Sequence, residues 1–144
     1  MPEIMITELE MQYIDLLQGM TGTTVKDCII DKERNRVIFL VAEGQAGLAV
    51  GKNGIYVKSL RKLLKKDVEI IEYSESLEDL IRNSLFPAQV ESVKLKKTPQ
   101  GKKIVIVKVK PEHKGLAIGR EGRTIARAKL VAKRYFDVDT VIIQ

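Results

Sequence analysis

The chain has 144 residues, 44% of them hydrophobic and 31% charged, which fits one ordinary domain or two very small ones and argues against disorder. The net charge is +6, and residues 74–144 carry +7 against −1 for residues 1–73, so a polyanionic partner is favoured. No apolar run approaches the roughly 20 residues that cross a bilayer, and no secretory signal is visible, so we expect a cytoplasmic protein with no membrane partner.

The first half predicts the element order α-β-β-α-α-β. Apolar residues at helical spacing predict a helix over residues 6–20, and Gly22 supplies its stop. The segments TTVKDCIID and RVIFLVA are rich in β-branched residues and predict two strands joined by a hairpin loop. GQAGLAV predicts a short helix ending at Gly51, a second helix starts near Gly54, and VEIIEY predicts a closing strand.

The second half predicts the same order again. Ser76, with Asp79 three residues later, predicts the start of a helix that ends before Pro87. VESVKLKK and KKIVIVKVK predict strands joined by the turn TPQG. Pro111 opens a short helix, the segment after GREG predicts a longer one, and TVIIQ predicts the last strand.

One octapeptide occurs twice. GLAVGKNG, residues 47–54, returns 68 residues later as GLAIGREG, residues 115–122. Five positions are identical, Val50 and Lys52 are replaced conservatively by Ile118 and Arg120, and Asn53 is replaced by Glu121. Two copies with similar flanks predict a duplicated α+β domain, 1–74 and 75–144. Units of about 70 residues are marginal alone, so we expect the halves to pack as one rigid unit.

A Gly-x-x-Gly turn between two helices suits a phosphodiester backbone. Glycine allows a sharp reversal and a close approach of the ligand, and the following helix presents unpaired N–H groups to an anion. A basic residue in the turn adds a phosphate contact. The alternative is an ordinary tight helix–helix turn, but two copies in the same surroundings favour binding.

Nucleotide chemistry is not indicated. A phosphate-cradling loop needs four residues between its first glycine and Gly-Lys, and then Ser or Thr. Here three residues separate Gly47 from Gly51, and Asn53 follows Lys52. One cysteine and one histidine, far apart in sequence, do not form a zinc site. We therefore expect no catalytic residues, no metal, no cofactor and no small-molecule substrate, and hence not an enzyme.

The turn between two helices and the order α-β-β-α-α-β resemble the KH domain of prokaryotic type, which clamps about four single-stranded nucleotides at its Gly-x-x-Gly loop. The tandem copies, and the segment GLAIGREGRTIARAKLVAKRYFDVD, resemble the paired KH domains of the transcription elongation and termination factor NusA. The bacterial factor carries a polymerase-binding domain and an S1 domain ahead of its KH pair. We expect the chain to match the shorter archaeal NusA-like proteins, which are reduced to that pair.

The resemblance implies two RNA-binding loops, each with glycines that permit close approach and a basic residue that contacts phosphate. Basic residues on the following helices are candidate flanking contacts, with a solvated helix face as the alternative. Val50 and Ile118 are candidates for an apolar floor under the bases, or for core packing. The predicted RNA-binding residues are Gly51, Lys52, Asn53, Gly54, Lys58, Arg61, Gly119, Arg120, Glu121, Gly122, Arg123 and Arg127.

Only 5% of the residues are aromatic, so a surface on which bases stack is not indicated. Recognition should instead rest on backbone contacts and base-edge hydrogen bonds in a narrow groove. Such a groove suits unpaired bases, so the expected ligand is single-stranded RNA. The resemblance implies a transcription elongation and termination factor that clamps nascent RNA, with RNA polymerase as a further candidate partner. Two alternatives remain open: a KH-type module in ribosome assembly or RNA decay, and a protein-interaction scaffold that has lost RNA binding.

Overall fold

The structure, a computed structural model, describes residues 3–144. It divides into two compact units: residues 5–74 form the first, and residues 75–144 form the second together with residues 3–4. Both have the predicted order α-β-β-α-α-β, so the α+β class is confirmed. The first unit consists of α1 (Glu8–Thr21), β1 (Val25–Asp31), β2 (Arg36–Val41), α2 (Ala46–Val50), α3 (Ile55–Leu64) and β3 (Asp67–Glu72). The second consists of α4 (Leu77–Leu85), β4 (Val90–Lys97), β5 (Lys103–Val109), α5 (Lys114–Ile118), α6 (Arg123–Phe136) and β6 (Thr140–Ile143).

Each unit contains one three-stranded sheet, ordered β1-β2-β3 in the first and β4-β5-β6 in the second. The first two strands of each sheet are antiparallel, as the predicted hairpins require, and the third strand is parallel to the second. Parallel neighbours cannot be joined by a tight hairpin and need a crossover. The helix pairs α2–α3 and α5–α6 are these crossovers, and each carries one copy of the glycine-rich octapeptide.

The helices of each unit pack on one face of its sheet. In the first unit Leu17 of α1, Phe39 of β2 and Leu60 of α3 are completely buried together. In the second unit Leu85 of α4 and Val107 of β5 are equally buried. Each such apolar side chain contributes about 1.5–3 kcal/mol relative to exposure, so these clusters hold the crossover helices against the sheets.

The first helix begins two residues later than predicted. Thr7 caps it: the Thr7 hydroxyl accepts a hydrogen bond from Glu10 N at 3.2 Å, and the Glu10 carboxylate accepts one from Thr7 N at 2.8 Å. This reciprocal pair satisfies N–H groups that a helix start leaves unbonded, which fixes the start at Glu8. Gly22 ends the helix as predicted, in the left-handed conformation with φ 72°.

The start and turn signals of the second half are confirmed. Ser76 Oγ accepts a hydrogen bond from Asp79 N at 3.3 Å and caps α4. In the β4–β5 turn Gly101 N donates to Thr98 O at 2.9 Å. The predicted proline start is also found, because Pro111 opens a short helical turn that leads directly into α5.

The first unit also contains a buried ionic cluster. Arg36 is 1% exposed; its Nε donates to Asp31 Oδ2 at 2.9 Å, and its Nη1 donates to both Glu69 carboxylate oxygens at 3.1 Å. Burial raises the pKa of the Asp31 carboxyl, but hydrogen bonds and charges from Arg36 and Arg34 outweigh that effect and hold the pKa below its usual value of 3.8. The cluster ties β1, β2 and β3 together at one end of the sheet.

None of the helices within residues 3–144 has the length and apolar character that crossing a membrane requires. Across the same described residues, no group of three or more histidine, cysteine or acidic side chains is arranged to hold a metal ion. Cys28, the single cysteine, is buried in the core of the first unit as a small apolar side chain.

Candidate nucleic-acid interface

The repeated octapeptide forms the same backbone turn in both units. Gly51 and Gly119 end α2 and α5 with φ and ψ of 82° and 165° in the first unit and 79° and 169° in the second. Three residues further on, Gly54 and Gly122 are left-handed, with φ of 72° and 74°, and directly precede α3 and α6. Positive φ is readily adopted by glycine, so the two glycines reverse the chain between two helices, as the sequence predicted.

The residues between the glycines share this geometry although their side chains differ. Asn53 has φ 57° and ψ 24°, and Glu121 has φ 55° and ψ 28°. Asparagine tolerates the left-handed region better than glutamate does. Glu121 precedes α6, which begins at Arg123 two residues later. The carboxylate therefore lies in the turn itself.

The two glycines of a turn have different steric roles. A Cβ added to Gly51 would lie 2.5 Å from Tyr56 Cδ2, and one added to Gly119 would lie 2.7 Å from Thr124 N. At Gly54 the nearest atom to an added Cβ is Lys58 Cε at 3.7 Å, so this position is nearly open. A Cβ at the first glycine of each turn collides with the protein's own atoms, whereas a Cβ at the second does not.

The outer two of the four backbone N–H groups in the first turn donate to backbone carbonyls. Gly51 N donates to Gly47 O at 3.0 Å, and Gly54 N donates to Gly51 O at 2.9 Å. Lys52 and Asn53 lie between them at the start of a helical turn, where N–H groups have no acceptor in a preceding turn. The second turn has the same glycine bonds, at 2.9 and 3.1 Å. Each turn thus combines two N–H donors with one basic side chain, which suits a phosphate.

An open groove of about 350 Å³ runs from the first turn along one face of α3. Lys58, predicted as a flanking contact, lies in it, and so does Lys62, which sequence reasoning missed. The four-residue spacing of Lys58 and Lys62 places them on one helix face and could have revealed the second lysine. Its lining residues include three lysines and no acid: Lys52, Asn53, Ile55, Lys58, Ser59 and Lys62.

Arg61, also predicted as a flanking contact, does not line this groove. Its Nε forms an ion pair with Asp67 Oδ1 at 2.9 Å, and its Nη2 donates to Val68 O at 3.3 Å. These bonds join α3 to the start of β3 within the same unit. The structure therefore gives Arg61 an architectural role.

In the second unit the basic residues divide in a similar way. Arg120 is in the turn and exposed, and Arg123 is the first residue of α6 directly behind it. Arg127, one turn further along, donates from Nε to Ser84 O at 2.9 Å and from Nη2 to Phe86 O at 3.0 Å. Arginine near a helix C-terminus satisfies carbonyls that the helix leaves unbonded, so Arg127 holds the end of α4.

Val50 and Ile118, the two candidates for an apolar floor under the bases, differ in their exposure to solvent. Val50 is half-buried and packs against the core of the first unit. Ile118, the equivalent residue before the second turn, is 44% exposed. Ile118 thus presents an apolar side chain at the surface, whereas Val50 contributes to packing.

The glycines give a direct stability test. Gly51→Ala should lower the free energy of unfolding by roughly 1–3 kcal/mol, because its φ and ψ and its contact with Tyr56 exclude a Cβ. Gly54→Ala should cost about 1–2 kcal/mol from backbone strain alone. Gly47→Ala, in open space inside α2, is the control and should stabilise by about 0.5–1 kcal/mol. Urea unfolding of the three variants measures this order, and equal stability of Gly51→Ala and Gly47→Ala would contradict it.

These features define a class. A Gly-x-x-Gly turn between two helices, beside a three-stranded sheet in the order α-β-β-α-α-β, is the architecture of a KH domain, and the chain contains it twice. A sequence model described as the KH domain matches residues 13–100, and one described as the NusA-like second KH domain matches residues 77–144.

Individual relatives agree. The chain is 32% identical to the probable transcription termination protein NusA of Halococcus morrhuae, covering 96% of both chains. It is 36% identical to the protein of the same name from Methanococcus vannielii, covering 92% of this chain and 75% of that one. The crystal structure of APE1850 superposes with a TM-score of 0.88 at 41% identity, covering 96% of this chain and all of that one. The chain belongs to the NusA-like family of tandem KH-domain proteins.

Proposed function

We propose that the protein is a transcription elongation and termination factor that clamps single-stranded nascent RNA with its two Gly-x-x-Gly turns. The observation that carries this proposal is the repetition of one unusual backbone geometry, with φ and ψ agreeing within a few degrees at Gly51 and Gly119 and at Asn53 and Glu121. Both copies keep a basic residue at the same position, Lys52 or Arg120. An ordinary helix–helix turn needs no such charge.

The first turn has the stronger set of phosphate contacts. Lys52 lies beside the two available N–H groups, and Lys58 and Lys62 continue the positive surface along α3. Successive phosphates of a strand can follow this line from the turn onto the helix. Each neutralised phosphate releases counterions, so the affinity should rest largely on electrostatics and fall with salt.

The second turn has a mixed charge. Arg120 and Arg123 flank the exposed Glu121, whose carboxylate repels a phosphate nearby. Arg127 is engaged with the end of α4. We propose that this turn binds RNA more weakly than the first and that the exposed Ile118 beside it contacts a base.

The relatives favour a role in transcription over the other two candidates. The proteins from Halococcus morrhuae and Methanococcus vannielii are both named probable transcription termination proteins, which supports nascent RNA as the ligand rather than ribosomal or decaying RNA. RNA polymerase is then a second partner. A pulldown of purified RNA polymerase by the immobilised chain, after ribonuclease treatment, separates direct contact from tethering by RNA.

A salt titration tests the RNA site. The logarithm of the association constant for a short single-stranded RNA should fall linearly with the logarithm of salt concentration, and Lys62→Ala should reduce the slope by about 0.7. Lys32→Ala removes another exposed lysine, which lies in the β1–β2 turn, and should leave the slope unchanged. Fluorescence anisotropy gives both values. No binding at low salt would favour the scaffold alternative, and equal slopes for the two variants would remove Lys62 from the site.

A further inference from the structure

The second sheet has an exposed face opposite its helices. Val105 and Val107 of β5 point into the core of the second unit, and because side chains alternate along a strand, Ile104 and Ile106 point the other way. Residues directly opposite one another on neighbouring strands share a face. The strand pairing places Lys94 and Ile142 on either side of Ile106, and Lys96 beside Ile104. We call the surface formed by Lys94, Lys96, Lys108, Ile104, Ile106 and Ile142 the outer face.

The outer face combines apolar area with one sign of charge. Ile142 is 46% exposed, Ile104 and Ile106 are half-buried, and the three lysines are exposed. None of the six residues is acidic. In the first sheet Ile38, which aligns with Ile106 at the repeat offset and also points away from the helices, is completely buried. The exposure of the isoleucines is thus a property of the second sheet and not of the fold.

A protective role for the lysines explains only part of this surface. Lysine on an edge strand discourages pairing with other strands, which accounts for Lys94 and Lys96 on β4. It does not account for Lys108 on the central strand, nor for three exposed or half-exposed isoleucines beside the charges. Nucleic acid is also disfavoured as the occupant, because single-strand platforms stack bases on aromatic side chains and the outer face has none.

We propose that the outer face docks an acidic protein segment whose aliphatic side chains pack on the three isoleucines and whose carboxylates pair with the three lysines. The aliphatic stems of the lysines extend the apolar area and leave their ammonium groups at its rim. Opposite charges at that rim would set the orientation and the association rate of the partner. This proposal does not depend on RNA binding by the glycine-rich turns.

The test uses the full chain and two synthetic helical peptides, each with one face of leucines. In the glutamate peptide the leucines are flanked by glutamates, and in the lysine peptide they are flanked by lysines. The glutamate peptide should bind and shift the methyl NMR signals of Ile104, Ile106 and Ile142, while the lysine peptide should not bind. The triple variant Lys94→Glu, Lys96→Glu, Lys108→Glu should weaken binding of the glutamate peptide by roughly tenfold or more. A control with the same charge change elsewhere in the second unit should bind as the wild type does: Lys102→Glu, Lys129→Glu, Lys133→Glu.

Any of three outcomes with the glutamate peptide would overturn the proposal. The glutamate peptide would fail to bind, or would bind the two triple variants equally, or would shift methyl signals outside the outer face. A parallel titration with short single-stranded RNA separates the surfaces. If RNA shifts the same isoleucine methyl signals and loses affinity in the outer-face variant, the face is a nucleic-acid site and not a protein-docking site. Ile142→Ser keeps every charge and should also weaken the glutamate peptide, which tests the apolar part.

Discussion

Single-stranded RNA should bind the Lys52→Asp/Asn53→Asp variant at least about tenfold more weakly than the wild type, while the melting temperature stays nearly unchanged. The double change replaces a phosphate contact by two repulsive charges at the turn with the stronger set of lysines. Both side chains are exposed, and aspartate accepts the left-handed backbone of Asn53, so the fold should tolerate them. Anisotropy titration gives the affinity, and thermal unfolding gives the stability.

The chain offers a closely matched control. Lys32 and Asn35 are also an exposed lysine and a left-handed asparagine, with Asn35 at φ 49°, but they lie in the β1–β2 turn. Lys32→Asp/Asn35→Asp makes the same two chemical changes and should keep its affinity, because neither residue lines the groove that starts at the first turn. Arg120→Asp should weaken binding less than the change in the first turn. Equal affinities for the wild type and the Lys52→Asp/Asn53→Asp variant would remove the first turn from the mechanism.

The largest effect on stability is expected from Arg36→Ala, which should lower the free energy of unfolding by about 3–5 kcal/mol. The variant leaves the Asp31 and Glu69 carboxylates near one another without the guanidinium that pairs with both. Arg34→Ala is the matched control, because Arg34 also pairs with Asp31 but is 30% exposed, and such a pair contributes at most about 1 kcal/mol. Urea unfolding at neutral pH compares the two variants.

The same urea unfolding, repeated at acidic pH, identifies the carboxyl group on which this stabilisation depends. The folded pKa of Asp31 lies below its usual value of 3.8, so its stabilising charge is fully present above that pH and is lost as the pH falls through the lowered pKa. The difference in the free energy of unfolding between the wild type and Arg36→Ala should therefore be largest at neutral pH and should shrink below about pH 3.8. If Arg36→Ala lowers the free energy of unfolding no more than Arg34→Ala does, or by an amount that does not change with pH, the cluster is not what stabilises this end of the sheet.

Most of the fold could be predicted from the sequence, because the signals for its helices, strands and turns are local. The β-branched residues of RVIFLVA, the stop at Gly22 and the turn TPQG are signals that each depend on a few neighbouring residues, and each of these features formed where it was predicted. The octapeptide repeat then indicated that both halves share one order. The error at the start of α1 was also local, since Thr7 and Glu10 satisfy a capping pattern that the apolar spacing alone does not show.

The site was only partly predictable, because the use of a charged side chain depends on distant residues. Arg61 and Lys62 are neighbours in sequence, yet Arg61 turns to Asp67 and Lys62 to the groove. Arg127 is held by carbonyls of α4 about 40 residues earlier in the chain, which no local pattern reveals. The shared left-handed backbone of Asn53 and Glu121 was hidden for another reason: the two side chains differ, and the turn imposes one geometry on both.

The lengths of the two crossover helices limit how such a repeat can diverge. α3 has 10 residues and α6 has 14, and both end at a left-handed residue, Lys65 or Asp137. Four residues are close to one full helical turn, so the longer helix delivers its last side chains on nearly the same side as the shorter one. An insertion of one or two residues in the helix would rotate the start of the following strand about the helix axis by about 100° or 200°. That strand could then no longer pair with its neighbour in the sheet. Growth of this helix is therefore expected in whole turns.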